Sequence, residues 1–315
     1  MPVRHILLAV AVAVVWGANF VVIDAGLGDL PPLTFVALRF LFVLVPAIFF
    51  VPRPAIRWRD LAAVGLLMSV AQFGLLYTSL HLGMPPGLAS LVLQIQVMLT
   101  VVIAALALHE RPSVRQQVGV LVGLAGLAVV AVGRSASTPL VALLLCVAAA
   151  LAWASGNVVA RRIGSPSGIG LTIWSALFVP GPILALSLLI DGPAAIATGL
   201  RHAGWATLAS TLYTAYLSSV FGYGVWNSLL GRHPATAVVP FTLLVPVSGI
   251  ATAWVVTGET PTLGTIVGGL LLMLGVLVTV VAVRRRRGGG GRGSGGRASR
   301  GRPGSDAEET AELVA

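Results

Sequence analysis

The chain has 315 residues, of which 57% are hydrophobic and 10% are charged, whereas soluble domains carry about 25% charged residues. This composition excludes a water-soluble fold, and the mean hydropathy of +0.96 agrees with that exclusion. The net charge of +10 does not indicate a folded nucleic-acid groove, because its Arg residues fall almost entirely in predicted loops and in a polar tail.

Apolar runs of about 20 residues recur from Leu7 to Val283, and each is long enough to cross a bilayer as a helix. The loops between them are mostly short, so helices that follow one another in the chain are expected to be neighbours. We therefore expect an all-α membrane protein with ten transmembrane helices. The predicted spans are 6–24, 33–51, 60–81, 86–108, 115–133, 139–160, 170–190, 205–229, 234–256 and 263–283.

The first four spans carry polar side chains at membrane depth, where polar groups are costly. Asn19 lies in the first span, Arg39 in the second and Gln72 in the third, while the fourth contains Gln94 and Gln96. The last two are two positions apart, so they face different sides of their helix. Uncharged amides favour a neutral or zwitterionic solute as the ligand, and the alternative is that they form hydrogen bonds between helices.

Arg39 is the only charged residue deep within a predicted span. Its planar guanidinium suits a substrate carboxylate in a water-filled cavity. A second interpretation fits the sequence equally well: Arg39 is structural, and pairs with carbonyl groups at helix ends or extends toward the outer surface. No Asp or Glu lies deep in a span, so the sequence does not indicate a proton relay through a buried carboxylate.

Aromatic and polar residues recur in the sixth and eighth spans. Trp153 and Asn157 lie in the sixth span, and Tyr223 and Trp226 lie three positions apart on one face of the eighth. We expect these residues to line a pocket together with Trp16 of the first span. For Asn157 the alternative is again a hydrogen bond between helices.

The two halves of the chain form an internal repeat. With a constant offset of 149, Pro85 aligns with Pro234 and Glu110 aligns with Glu259. Five spans per half is an odd number, so equivalent points lie on opposite sides of the membrane. This predicts two inverted five-helix repeats, residues 1–133 and 139–283, with a substrate site near the midplane between them.

The loop charges predict the orientation of the chain, because cytoplasmic loops are rich in basic residues. With both termini in the cytoplasm, thirteen Arg residues lie inside and two lie outside. The outer pair is Arg134 and Arg201. The inner set is Arg4, Arg53, Arg57, Arg59, Arg111, Arg115, Arg161, Arg162, Arg232 and Arg284 to Arg287.

Residues 284–315 are rich in Gly and Arg and too polar to form a core. We expect a disordered cytoplasmic tail whose first Arg residues contact anionic membrane lipid. RNA binding is the alternative, but no aromatic side chains are interleaved to stack on bases. Nucleic acid is therefore not an expected partner.

Several motifs together resemble the EamA family of the drug/metabolite transporter superfamily. They are WGANFVVIDAGL, PPLTFVALRF, GMPPGLASLVLQ, HERP, WASGN, GYGVWNSLLGR and LLVPVSG. The resemblance covers nearly all of residues 1–283 and implies two inverted five-helix units. It implies efflux of small amino-acid metabolites, similar to O-acetylserine or cysteine, across the cytoplasmic membrane. It places on or near the central path Asn19, Arg39, Gln94, Gln96, Trp153, Asn157, Tyr223 and Trp226.

Other functions predict different features. A drug or nucleotide-sugar exporter predicts a wider or more charged cavity, and a structural membrane scaffold predicts no central polar site. An intramembrane enzyme requires a nucleophilic, paired-acid or metal constellation at membrane depth, and the sequence shows none. No catalytic residue, metal ligand or cofactor is therefore predicted; the expected partners are a small-molecule substrate and membrane lipid.

Overall fold

A computed structural model describes residues 1–164 and 167–280, and every regular element among them is helical. The predicted all-α class is confirmed for this part of the chain. The predicted tail, 284–315, lies outside the described residues, as does the end of the last predicted span.

The long helices follow the predicted spans to within a few residues at each end. In chain order they are α1 Val3–Gly26, α2 Pro32–Phe50, α3 Trp58–His81, α4 Pro86–Ala107, α5 Val114–Gly133, α6 Leu140–Ile163, α7 Gly168–Ile190, α8 205–232, α9 235–257 and α10 Leu263–Val280. A short helix over Gly192–His202, which was not predicted, precedes α8.

The predicted count of ten spans is not confirmed. Among the described residues, nine helices are long and apolar enough to cross a membrane, and α8 is not one of them. Its sequence is rich in Ser, Thr, Tyr and Gly, which lowers its hydropathy. The same polar groups face neighbouring helices: Thr207, Ser210, Thr211, Thr214, Ser218 and Ser219 are all buried.

The ends of several helices follow from local chemistry. Pro32 and Pro86 stand at the first position of α2 and α4, where a missing N–H costs little. Ser113 and Gln116 form a capping box at the start of α5. Thr262, which the offset of 149 aligns with Ser113, accepts a hydrogen bond from the N–H of Thr265 in α10.

The first helix of each half packs against the third and fourth helices of the other half. Helix α1 packs against α8 and α9 of the second half, whereas α6 packs against α3 and α4 of the first half. Helix α2 packs against α7, and α5 packs against α10 along their length. Each half therefore contributes helices to the core of the other.

Small residues let α5 and α10 approach closely. A Cβ atom added to Gly126 would lie 2.7 Å from the carbonyl oxygen of Gly268. One added to Gly275 would lie 2.7 Å from the carbonyl oxygen of Gly119. Only glycine fits at such a backbone contact.

Four helices depart from α-helical geometry at equivalent places. Leu66–Ala71 of α3 and Tyr213–Phe221 of α8 are π-helical. Leu93–Ile95 of α4 and Val239–Leu243 of α9 are 3₁₀-helical. With the offset of 149, the members of each pair overlap. Such segments leave backbone groups outside the regular hydrogen-bond ladder and are frequent at functional sites.

Candidate functional site

Arg39 occupies the interior of the helical bundle, with 1% of its surface exposed. Its Nη1 donates to the hydroxyl of Tyr77 in α3 at 3.1 Å, and its Nη2 donates to the hydroxyl of Ser219 in α8 at 2.9 Å. The guanidinium carbon lies 4.1 Å from the ring centroid of Phe73. The buried Nε–H group has no hydrogen-bond partner.

The charge of Arg39 has no acidic partner among the described residues, whose ion pairs are formed by Arg57, Arg59 and Arg161. A buried charge without a counter-ion is expensive. Hydroxyl groups and an aromatic face compensate part of that cost. Arg39 therefore retains a free donor and an unneutralised positive charge in the interior.

Three aromatic residues form a cluster beside this group. The ring of Trp16 lies 5.3 Å from the ring of Tyr223 and 5.3 Å from that of Trp226. The Nε1–H of Trp16 donates to the carbonyl of Ser218, in the π-helical segment of α8. A Cβ added to Gly222 would lie 2.6 Å from the same Nε1 atom, so this close approach depends on glycine.

Consecutive residues of α8 connect the aromatic cluster to Arg39. Ser218 binds Trp16 through its carbonyl, and Ser219 binds Arg39 through its hydroxyl. The structure therefore brings the guanidinium and the aromatic cluster to the same short stretch of α8.

Three of the predicted amides bind neighbouring helices. Gln94 donates from Nε2 to the carbonyl of Thr242 in α9 at 3.1 Å. Asn157 donates from Nδ2 to the Oε1 of Gln96 at 2.9 Å, which joins α6 to α4. Gln94 and Gln96 therefore face different helices. These are hydrogen bonds between helices, the predicted alternative to contact with a substrate.

Asn19 keeps a free acceptor in the interior. It is buried, and its Oδ1 atom has no hydrogen-bond partner. Because it lies three residues after Trp16 in α1, both side chains project from the same side of that helix. Asn19 thus offers an acceptor on the side of α1 that carries the aromatic cluster.

Gln72 and Trp153 are placed differently. Gln72 is buried in α3, directly after the π-helical segment. Trp153 is partly buried in α6 and packs against the hydrophobic core. No hydrogen bond connects either side chain to Arg39, and their role in a site stays a prediction.

The sequence did not single out Tyr77 and Ser219, which hold Arg39. Tyr77 lies in an apolar run that resembles core. The only signal for Ser219 is the unusual density of hydroxyl residues in α8.

Two carboxylates in loops are held by backbone N–H groups. Asp29 accepts hydrogen bonds from the N–H of Gly204 and the hydroxyl of Thr207, and these bonds lower its pKa. Glu259 accepts from the N–H groups of Gly87 and Leu88; burial raises the pKa of Glu259 in spite of these bonds.

Two cavities lie away from Arg39, at the ends of helices. One, of about 680 Å³, is lined by Arg57, Arg59, Asp60 and Arg162, with four other residues from the end of α6 and the loop before α3. The other, of about 290 Å³, is lined by His5, Arg232 and parts of α1 and α8. Neither includes any predicted site residue.

Comparison with known families and proteins gives consistent results. The model of the EamA-like transporter family matches twice, over residues 3–132 and 140–281. A probable amino-acid metabolite efflux pump of Salmonella typhimurium is 41% identical over 284 residues, which cover 88% of this chain and 95% of the relative. A protein of the same description from Escherichia coli is 40% identical over the same shares.

Two more distant matches agree with these. A probable terminal-alkyne amino-acid exporter of Streptantibioticus cattleyicolor is 30% identical over 70% of this chain and 74% of the relative. One solved crystal structure superposes with a TM-score of 0.59 at 21% identity, covering 91% of this chain and 99% of its own. That likeness shows a shared fold.

Proposed function

Because the chain belongs to the EamA-like transporter family, we propose that it is a secondary transporter that exports small amino-acid metabolites of the O-acetylserine or cysteine type. The relatives described as amino-acid exporters support this choice of substrate class. The protein carries its solute across the cytoplasmic membrane unchanged and is not an enzyme. The excess of Arg in one set of loops supports a cytoplasmic location for both termini.

The buried guanidinium of Arg39 is the observation that carries the proposal. A substrate carboxylate supplies the missing counter-charge and accepts the hydrogen bond of the free Nε–H group. Burial strengthens this interaction, because the local dielectric is low. An amino-acid metabolite therefore binds with its carboxylate at Arg39.

The neighbouring groups suit the other end of such a solute. The free Oδ1 of Asn19 accepts a hydrogen bond from an ammonium group. The faces of Trp16, Tyr223 and Trp226 stabilise the same cation. This arrangement favours zwitterionic solutes over cationic drugs, which the positive charge of Arg39 repels.

Gln94, Gln96 and Asn157 have a positioning role in this scheme. Their hydrogen bonds hold α4 against α6 and α9. Helix α9 also packs on α1, which carries Trp16 and Asn19, so the amides act on the site through the positions of the helices.

Counterflow in proteoliposomes tests the function. Vesicles loaded with unlabelled O-acetylserine and containing the purified protein are expected to accumulate labelled O-acetylserine and labelled cysteine. A pH gradient applied to the same vesicles shows whether transport is coupled to protons. Vesicles with the Arg201→Gln variant serve as a matched control for loss of one Arg and should behave like wild type, because Arg201 is exposed. Accumulation no faster than in empty vesicles contradicts the proposal.

A further inference from the structure

Glu259, in the loop between α9 and α10, binds the start of a helix in the other half of the chain. Its Oε2 accepts a hydrogen bond from the N–H of Gly87 at 2.9 Å, and its Oε1 accepts one from the N–H of Leu88 at 3.2 Å. Both N–H groups lie in the first turn of α4, where helices leave donors unpaired and carry partial positive charge. The carboxylate therefore fastens the end of α9 to the beginning of α4.

The repeat predicts an equivalent contact on the other side of the membrane. The offset of 149 aligns Glu259 with Glu110, and aligns Gly87 and Leu88 with positions 236 and 237 at the start of α9. The equivalent contact is absent among the described residues. Glu110 instead binds Arg161 at 3.0 Å, and the N–H of Ala237 donates to the carbonyl of Pro234.

The residues near the starts of α4 and α9 also differ in how deeply they are buried. Residues 90–94 of α4, beneath Glu259, are all buried. The equivalent residues of α9, Val239–Leu243, are all partly exposed. The residues near the start of α4 are therefore covered on all sides, whereas the equivalent residues of α9 are not.

We propose that Glu259 and Glu110 are alternating positioning residues of the transport cycle, each binding the first turn of α4 or α9 in the state where its own side of the membrane is closed. The inference rests on the proposed transport function. In the state described here Glu259 is engaged and the cytoplasmic side is open. In the opposite state Glu110 binds the N–H groups at positions 236 and 237, and Glu259 is released.

The present partner of Glu110 does not oppose that exchange. Glu110 and Arg161 are 40% and 60% exposed, and exposed ion pairs contribute about 0–1 kcal/mol. Glu259 can also leave the first turn of α4, because burial raises the pKa of its carboxyl group and the nearby Asp24 raises this pKa further. Both contacts are thus weak enough to be exchanged during a cycle.

Cysteine accessibility tests the proposal in a Cys146→Ala background. The reporters are Ser90→Cys on α4 and its equivalent Val239→Cys on α9. Glu259→Gln is expected to raise labelling of Ser90→Cys by an impermeant maleimide from outside at least several-fold, and to lower labelling of Val239→Cys from inside. Glu110→Gln is expected to change both reporters in the opposite directions, and the double variant to return them toward wild type.

Changes in labelling of the two reporters in opposite directions distinguish a positioning role from damage to the fold. The proposal is wrong if both variants expose both reporters, or if neither reporter responds to either variant. Wild-type counterflow is measured in parallel. If the wild type exchanges substrate while the reporters stay unchanged, the alternating contact is wrong and the transport function stands. If the reporters respond in opposite directions without wild-type exchange, the transport function is wrong and the alternating contact stands.

Discussion

At the scale of single residues, Arg39 could be identified from the sequence, but its partners could not. A lone charge in an apolar span predicts a special role, since such a charge is costly in lipid. The partners that hold it come from α3 and α8, far away in the chain, and no local pattern reveals them. The same holds for His5 and His233, whose imidazole nitrogens lie 2.6 Å apart although 228 positions separate them.

Substitution Arg39→Lys tests whether the guanidinium binds the substrate carboxylate. Lysine keeps the charge but loses the planar fork and the Nε–H donor. Loss of one charge-assisted hydrogen bond costs about 1.5–3 kcal/mol, so the KM for O-acetylserine in counterflow should rise by about 10- to 150-fold.

The variant Tyr77→Phe provides the control for that substitution. It removes one hydrogen-bond partner of Arg39 and leaves the charge and the free Nε–H group in place, so the KM should rise less than in Arg39→Lys. Equal rises in KM for the two variants would indicate that Arg39 is structural.

Asp29 provides a pH-dependent contact at the residue scale. The Gly204 N–H and the Thr207 hydroxyl lower the pKa of Asp29. A lowered folded-state pKa contributes stability above the unfolded value of about 3.9, and that contribution is lost as pH falls through the folded-state pKa. Hydrogen exchange at the Gly204 amide, corrected for its intrinsic rate, should therefore accelerate as the pH falls through the folded-state pKa of Asp29. The Asp29→Asn variant should show no such step.

At the scale of helices, the positions of the elements follow from sequence but their irregular segments do not. Apolar runs and prolines place the helix ends to within a few residues. The 3₁₀ segment of α9 contains Pro240, which the sequence reveals, whereas the π-helical segments of α3 and α8 contain no proline. In the segment of α8, the hydroxyl of Ser219 donates to the carbonyl of Thr214, five residues earlier. The polar composition that excludes α8 from the apolar spans is the same feature that supplies hydroxyls to the site.

The contact between α5 and α10 gives a stability prediction at this scale. Gly126→Ala places a methyl group against the backbone of α10, and overpacking of this kind costs about 1–3 kcal/mol. Thermal unfolding of the detergent-solubilised protein should therefore occur at lower temperature. Gly181→Ala in α7 is the matched control, because no atom lies within 4 Å of the added Cβ. Equal unfolding temperatures for the two variants would contradict this packing.

At the scale of the whole molecule, helices of one half pack on helices of the other and bring residues of both halves to Arg39. Helix α1 of one half packs on α8 and α9, and α6 packs on α3 and α4. Arg39 comes from one half and its partner Ser219 from the other, so relative movement of the halves changes the site directly. The repeat was visible in the sequence through its constant offset, because both halves preserve the same prolines, glycines and glutamates. The choice of contacts between halves was not visible, since it depends on side chains that are far apart in the chain.

The inverted orientation of the two halves is the central claim, and sided labelling measures it most directly. Arg111 and Thr260 are equivalent by the offset of 149, and both are exposed. In a Cys146→Ala background, an impermeant maleimide applied to intact cells should label Thr260→Cys and leave Arg111→Cys unlabelled until the membrane is permeabilised. Labelling of both cysteines from the same side would contradict the account.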